Sequence, residues 1–373
     1  MITVLPVTTR KQRKEFLDFP LKLYKGCPYY APNLYSDEAK IFDPNYFYYQ
    51  TCDAKYWNAY RDGKMVGRIG GILQKAANKK WGQKRVRFTR FDLIDDLAVA
   101  KALLGAVEDW ARSLGMEEVF GPMGFSDLER EGLLIEGFEE PTTISENYNY
   151  AYYQTLLEQL GYTKDVDYFA HQVTIQEGFD ISKVERIVNK MMAREKLHLV
   201  QMKSTSKLLD RYGPKFFDIV EHSYDHLYQT VPFIDDQIKD AIESFKLILS
   251  TKYICLIVDE NDDIAAFGLC FPHITPILNK TGGHLYPWIL PQLLYRLKNP
   301  DVIEFGLIGV ADKYKNSGIA WAPMIPALKM FQSGKIKYAE TNLNLETNLD
   351  ILNLFTHFNT RRHRKVRTFI RKI

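Results

Sequence analysis

Alternating hydrophobic and polar residues give the first structural signal in this chain. Lys55–Arg61 alternates in this way, Asp62–Lys64 supplies turn residues, and Met65–Leu73 continues the alternation. A period of two indicates strands with one buried face, and an Asp-Gly pair between two such runs is typical of a β-hairpin. We therefore predict a hairpin over residues 55–73.

The first half also contains a clear helix signal. Apolar residues recur at helical spacing after Asp96, which is suited to cap a helix, and the pattern ends at Leu114 before Gly115. The other elements predicted in this half are a helix at Lys11–Tyr24, strands at Val86–Leu93 and Glu117–Gly121, a helix at Tyr150–Leu160 and a closing strand at Tyr168–Ile175.

The second half repeats the same order of elements. Its predicted strands are Tyr253–Val258, Ile264–Phe271, Val302–Val310, Lys337–Leu345 and Arg364–Ile370, and its predicted helices are Lys215–Leu227, Asp235–Leu249, Gly318–Phe331 and Asn348–Phe358. A repeat this long indicates duplication of a whole domain. We predict an α/β (α+β) fold with two tandem modules, residues 1–178 and 179–373, each a mixed, mostly antiparallel sheet flanked by helices.

Composition indicates where the protein is located and which partners it lacks, but it says little about the reaction. The net charge of +3 over 373 residues is too small to indicate a polyanion partner, and the four cysteines form no CxxC pair. The chain shows neither an export signal nor an apolar run of the ~20 residues that span a bilayer. We therefore expect a cytoplasmic protein with no metal, no membrane partner and no nucleic-acid partner; the oligomeric state stays open.

The segment Val302–Ala320 carries the main chemical signal. It reads as a buried strand, a turn of small and polar residues, and a helix that starts near Gly318. The first N–H groups of a helix are unpaired, and a glycine lets a ligand approach the backbone, so this turn is suited to hold phosphate. A plain strand-to-helix connection is the alternative.

This segment resembles the pyrophosphate loop of the GNAT acetyltransferase superfamily. The family pattern is Gln or Arg, two residues, Gly, one residue, then Gly or Ala; Lys315–Ala320 fits it with Lys in the first position. The family often has a valine five residues earlier, where this chain has Val310. Asn348, followed by apolar residues at +3 and +6, matches a second family pattern, and Tyr150–Tyr162 looks like that pattern's counterpart in the first half.

The resemblance implies which residues hold acyl-coenzyme A. Acetyl-CoA, or another acyl-CoA, would place its pyrophosphate on the turn and its pantetheine arm along the end of the strand. The cofactor-binding residues predicted in this way are Ile308, Gly309, Val310, Lys315, Asn316, Ser317, Gly318, Ile319, Ala320 and Asn348. A backbone N–H near Val310 would polarise the thioester carbonyl.

Two departures from the family pattern matter. Phe91–Leu104 in the first half has no glycine and contains Asp92, Asp95 and Asp96, whose charges would repel phosphate. The first module is therefore predicted to be degenerate. The position where family members commonly have a tyrosine general acid is Phe355, which cannot donate a proton.

The alternating strand Lys337–Glu346 supplies the catalytic candidates. Glu340 is predicted to be the general base, with Asn342 orienting water or the acceptor. The alternative is a polar strand face turned to solvent. A second unusual segment, Gly121–Gly132, is interpreted either as a loop at an acceptor cleft or as a solvated loop.

Together these features predict an acyl-CoA-dependent N-acyltransferase, first of all one that transfers acetyl to a small-molecule or peptide amine. Two alternatives stay open: a catalytically silent GNAT-fold binding protein, and an aminoacyl-tRNA-linked transferase. The basic run Arg361–Ile373 motivates the last of these.

Overall fold

The computed structural model describes the backbone of residues 1–373 and every side chain apart from those of Asn316 and Asp350. Its strands are β1 Ile2–Pro6, β2 Cys52–Arg61, β3 Lys64–Gln74, β4 Arg85–Leu93, β5 Glu118–Gly121, β6 Leu133–Glu136, β7 Thr163–Thr174, β8 His198–Leu199, β9 Ile254–Val258, β10 Ile264–Pro272, β11 Val302–Val310, β12 Tyr338–Thr341, β13 Asn344–Leu345 and β14 Asn359–Lys372. Its α-helices are α1 Arg10–Leu23, α2 Tyr35–Ala39, α3 Lys75–Trp81, α4 Leu97–Ser113, α5 Tyr152–Gln159, α6 Ile181–Arg194, α7 Thr205–Tyr224, α8 Asp235–Ile248, α9 Thr275–Thr281, α10 Leu290–Lys298, α11 Ile325–Gln332 and α12 Leu349–Phe355.

The strands form one 14-stranded sheet, in the order β1-β2-β3-β4-β5-β14-β7-β12-β11-β10-β9-β8, with β13 and β6 beside β7 and β14. The pairs β4–β5 and β11–β12 are parallel, whereas the hairpins β2–β3 and β9–β10 are antiparallel. The predicted mixed, mostly antiparallel sheet with flanking helices is confirmed. No helix in the described part of the chain is long and apolar enough to cross a bilayer.

The C-terminal strand joins the two halves. β14 lies between β5 and β7, with Phe369 opposite Gly121 and Val366 opposite Tyr168. β7 in turn pairs with β12 through Val173 opposite Ala339. The last strand of the chain therefore completes the sheet of the first half. Strands from before and after residue 178 belong to the same sheet, and a module boundary at that residue stays a prediction.

β14 also accounts for the basic run near the C-terminus. Arg364 is buried and donates to Glu140 O, Thr142 Oγ1 and Asn147 O at 3.0, 2.9 and 3.1 Å. The Arg367 guanidinium contacts the Asp167 carboxylate at 2.7 Å. These cations are matched by acceptors within the chain, so the run does not form a free basic arm.

Helix α4 anchors the core of the first half. The Asp96 carboxylate caps it by accepting from the backbone N–H groups of Ala98 and Val99 at 2.9 and 3.2 Å. Its apolar face, including the fully buried Leu103 and Val107, packs in the same core as β2–β5. Burial of each such side chain stabilises the fold by about 1.5–3 kcal/mol. This packing holds the parallel pair β4–β5 against the helix.

Candidate functional site

The parallel strands β11 and β12 separate at the centre of the second half. They pair from Val302 opposite Tyr338 to Phe305 opposite Thr341; β11 then continues to Val310 paired with β10 on its other side but no longer with β12. At the point of separation, the Asn342 amide donates to Gly306 O at 3.1 Å. Both strands therefore present their C-terminal ends, with the loop after β11, at one edge of the sheet.

The loop after β11 differs from the predicted strand–turn–helix. Two 3-10 turns, Asp312–Ser317 and Ile319–Met324, flank Gly318, and the α-helix begins at Ile325 rather than at Gly318. Two prolines explain why the helix begins later than predicted. Pro323 lacks the N–H that a helix interior requires, whereas Pro326 lies in the first turn, where no such donor is needed.

Several predicted pyrophosphate-binding groups of this loop already have partners within the chain. The Ile319 N–H donates to Ser317 Oγ at 3.3 Å, and the Ser317 hydroxyl donates to Tyr314 O at 2.7 Å. Lys315 pairs with Asp312 at 2.7 Å on the surface. The Asn316 side chain lies outside the described part of the structure.

Helix α6 covers the glycine of this loop. Gly318 has φ +82°, and a Cβ placed there would lie 2.8 Å from Met191 Sδ. The Arg194 guanidinium also donates to Ser317 O at 3.2 Å. The missing side chain at Gly318 thus admits the Met191 side chain in this structure, and the role of the loop in phosphate binding stays a prediction.

The end of β11 is occupied as well. The Tyr224 hydroxyl, at the end of α7, donates to Ile308 O at 2.7 Å and accepts from Ile308 N at 3.3 Å. A pantetheine arm that paired with this backbone would have to displace that hydroxyl. Tyr224 is thereby placed at the predicted donor site, although no sequence pattern pointed to it.

The other predicted donor-site residues have varied surroundings. Gly309 faces the Phe267 ring, and Val310 lies opposite Ala266 of β10. Ile319 is fully buried and Ala320 is exposed. Asn348 stands at the start of α12, where its side chain makes no capping hydrogen bond.

Two buried carboxylates lie side by side on the β11–β12 pair. Glu304 and Glu340 are opposite each other in the parallel register and therefore point to the same side of the sheet. They are 2% and 1% exposed. Burial raises the pKa of Glu304, and the charge of Glu340 adds to this effect. A solvent-facing strand is thus excluded for Glu340.

Each carboxylate is bound by a histidine. His363 Nε2 of β14 lies 2.7 Å from Glu340 Oε2, and His273 Nδ1 lies 2.7 Å from Glu304 Oε1. The Gln172 amide donates to the other Glu340 oxygen at 2.9 Å. A histidine that donates to a carboxylate through one nitrogen keeps the other as a proton acceptor, and this orientation is how carboxylate–histidine pairs activate a nucleophile.

The second nitrogen of His363 is buried and unpaired in the described part of the chain. His363 Nδ1 has no hydrogen-bond partner among the described residues, and Glu140 Oε2 lies 3.6 Å away. Because this nitrogen is shielded from water, a polar or charged group placed beside it would interact with it strongly.

Asn342 follows β12, two residues beyond Glu340. Its Oδ1 accepts from the Ser145 hydroxyl at 3.0 Å, and its amide bridges to β11 as described above. The structure therefore places Glu340 in β12 and Asn342 directly after that strand, where β11 and β12 separate. The structure adds Glu304, His273 and His363, none of which a sequence pattern marked as catalytic.

The corresponding strands of the first half hold no comparable opening. Arg87 of β4 is buried and donates to Gly124 O and Phe125 O at 2.9 and 3.1 Å, so the segment after β5 packs against β4. Asp92 pairs with Arg68 at 2.7 Å. The segment 121–132 is therefore not a solvated loop: Ser126 and Phe125 are fully buried.

Among the described residues, no group of three or more His, Cys, Asp or Glu side chains is arranged to hold a metal ion. The histidine–carboxylate pairs at β11–β12 are suited to proton transfer.

Comparison with known proteins supports the architecture. No family model matches the chain. A tandem GNAT protein from the clavulanic acid biosynthesis pathway has a TM-score of 0.56 and 12% identity, and the match covers 100% of this chain and 98% of that one. A GCN5-related glucosamine N-acetyltransferase region of a fungal multi-domain β-N-acetylglucosaminidase gives a TM-score of 0.56 at 12% identity, over 100% of this chain and 38% of that one.

Two curated proteins are similar in sequence. Protein YghO of Escherichia coli is 26% identical over 96% of this chain and 93% of its own length. The bacterial ceramide synthase of Caulobacter vibrioides is 26% identical over 85% of this chain and 82% of its own length. The structural matches show that the fold is that of a two-module GNAT-like protein, as the sequence resemblance predicted.

Proposed function

We propose that this protein is an acyl-CoA-dependent N-acyltransferase whose active site lies on the Glu304–Glu340 side of the β11–β12 pair. The observation that carries the proposal is the buried Glu340–His363 pair beside the separation of two parallel strands. A GNAT-like fold with a proton acceptor at this position is suited to acyl transfer to an amine.

The chemistry assigns a role to each group. The amine nitrogen attacks the thioester carbonyl carbon, the carbon–sulfur bond breaks, and the sulfur leaves with the electron pair. The Glu340–His363 pair accepts the proton that the amine loses, with His363 Nδ1 as the available nitrogen. The proton then passes to the thiolate. Asn342 orients the acceptor from the same strand.

The acyl donor is proposed to bind at the end of β11. Its pyrophosphate would contact the loop that contains Lys315 and Gly318, and its pantetheine arm would replace the Tyr224 hydroxyl at Ile308. The curated relative named a ceramide synthase supports an amine acceptor, because a ceramide is the amide of a long-chain amino alcohol. Acetyl and long-chain acyl groups are therefore both donors to test.

The test measures CoA release and amide formation by the purified protein with acetyl-CoA and with palmitoyl-CoA, each against polyamine, peptide and long-chain amino alcohol acceptors. With the productive pair, Glu340→Gln should lower kcat by about 10²–10⁴-fold and leave donor affinity nearly unchanged. Glu177→Gln, the same change at an exposed position, is the matched control. Full activity of the Glu340 variant would exclude this role.

One observation favours a second candidate, a catalytically silent acyl-CoA-binding protein. Phe355 is buried in the core of the second half, so the proton donor common in the family is absent at that position. Donor binding without amide formation from any acceptor, in both wild type and variant, would identify this second function.

A further inference from the structure

The segment 285–295 exposes an unusual concentration of large apolar side chains. Six of the fourteen exposed large hydrophobic residues among the described side chains lie here, and we call them the Trp288 patch: Leu285, Tyr286, Trp288, Leu290, Leu294 and Tyr295. Trp288 and Tyr295 are 65% and 68% exposed. Single exposed apolar residues are common, but a cluster of this kind marks an interaction surface.

The segment is held in place from beneath. Ile289 is buried, the Tyr253 hydroxyl donates to Leu297 O at 3.0 Å, and the Tyr286 and Trp288 rings stack with centroids 5.9 Å apart. Leu290 and Leu294, one turn apart on α10, share a face of the helix. The patch is therefore an ordered surface and does not arise from a frayed loop.

The chain segment that carries the patch contains basic residues but no acidic ones. Residues 264–300 contain no Asp or Glu, whereas Lys280 and Lys298 are exposed and make no ion pair among the described side chains. Tryptophan and tyrosine beside lysine are the residues that favour the boundary between lipid headgroups and acyl chains, and each nearby cation strengthens attraction to an anionic membrane.

The patch is also joined to the proposed active site. Arg296 of α10 donates through Nε to His273 O at 3.1 Å, and His273 binds Glu304. The surface and the buried carboxylates thus lie at opposite ends of a short chain of contacts.

We infer that the Trp288 patch docks this protein on an anionic lipid bilayer, from which a membrane-borne amine reaches the active site. The delivery of the amine rests on the proposed function, whereas the docking does not. This inference departs from the sequence-based expectation of no membrane partner, which considered only spanning segments and did not address docking at the surface.

The test is sedimentation of the full-length protein with vesicles of phosphatidylcholine, alone or mixed with phosphatidylglycerol. The protein should bind the mixed vesicles, and Trp288→Ser combined with Leu294→Ser should weaken binding at least about tenfold. Lys280→Glu combined with Lys298→Glu should remove about tenfold of the preference for the anionic lipid. Leu247→Ser, at a separate residue that is 79% exposed, is the control.

The outcomes separate docking from catalysis. The sedimentation assay contains no acyl-CoA and therefore reports docking alone. Vesicle binding in that assay, combined with no amide formation in the transfer assay with any donor and amine, would overturn the proposed function and leave docking intact. Wild-type protein that stays in the supernatant with both vesicles, or equal binding by the Trp288/Leu294 variant, would overturn docking. A dimer in analytical ultracentrifugation that this variant converts to monomer would assign the patch to a second copy of the chain instead.

Discussion

Glu131 provides a quantitative test of the buried charges in the first half. Its side chain lies in the segment after β5 and is 8% exposed. Burial raises the pKa of Glu131 to about 8, and the nearby carboxylate of Asp127 adds to the increase. Burial also raises the pKa of Asp127, to about 6. The folded protein therefore keeps Glu131 protonated at neutral pH.

The sign of the pH dependence follows from this shift. Between the ordinary value of 4.5 and the folded value of about 8, the unfolded chain releases a proton that the folded chain retains. Stability from this group is thus complete below pH 4.5 and falls as the pH rises through 8. At 1.36 kcal/mol for each pH unit the loss is at most ~5 kcal/mol. Because the segment can rearrange around an ionised Glu131, we expect about 2–3 kcal/mol.

Glu131→Gln removes this titration. Urea unfolding followed by tryptophan fluorescence should show the variant to be about 2–3 kcal/mol more stable than wild type at about pH 9, with a much smaller difference at about pH 5. Glu139→Gln, at an exposed position, should leave the pH dependence as it is. Equal pH dependence in wild type and in the Glu131 variant would refute a protonated, buried Glu131.

Two substitutions test whether acyl-CoA binding displaces the Tyr224 hydroxyl and the Met191 side chain from the predicted donor site. Tyr224→Phe removes the hydroxyl from Ile308, so donor affinity in calorimetry should increase by about 2–10-fold; unchanged or weaker binding would place the pantetheine elsewhere. Met191→Ala opens space over Gly318 and should also strengthen binding, by a few-fold, whereas the same change at the partly exposed Met330 should not.

Much of the local structure follows from periodicity and caps. The predicted strand Val302–Val310 has the bounds of β11, and the predicted helix from Asp96 to Leu114 corresponds to α4 with Asp96 as its cap. In both cases the signal lies within the element itself, in an apolar run bounded by polar residues or in a helical period between a cap and a glycine. Such signals need no knowledge of distant contacts.

Strand order depends on contacts that no local pattern contains. The closing strands of both halves were predicted from their sequences, but their pairing was not, because β14 meets β5 more than half the chain away. The helix predicted to begin at Gly318 begins at Ile325, since two prolines compete with the apolar period there. Helix α10, none of whose residues is buried, was not predicted.

The candidate site likewise contains residues that local patterns predict and residues that only the fold brings together. Glu340 and Asn342 could be selected because alternation placed polar residues on one side of a strand, but a strand pattern does not distinguish a solvent face from a buried polar one. His363 lies just before the predicted strand Arg364–Ile370, and only the insertion of β14 into the sheet brings its ring to Glu340. Partners that come together through long-range pairing require the fold.

Hydrogen–deuterium exchange with and without acyl-CoA is the most direct test of the central claim that the donor binds at the separation of β11 and β12. Peptides that cover residues 306–320 should become protected on donor binding, because their backbone N–H groups face the bound molecule. Peptides that cover residues 86–93 and 121–132, around β4 and β5, should exchange as before. Protection confined to the first half, or none in residues 306–320 at saturating donor, would contradict the account.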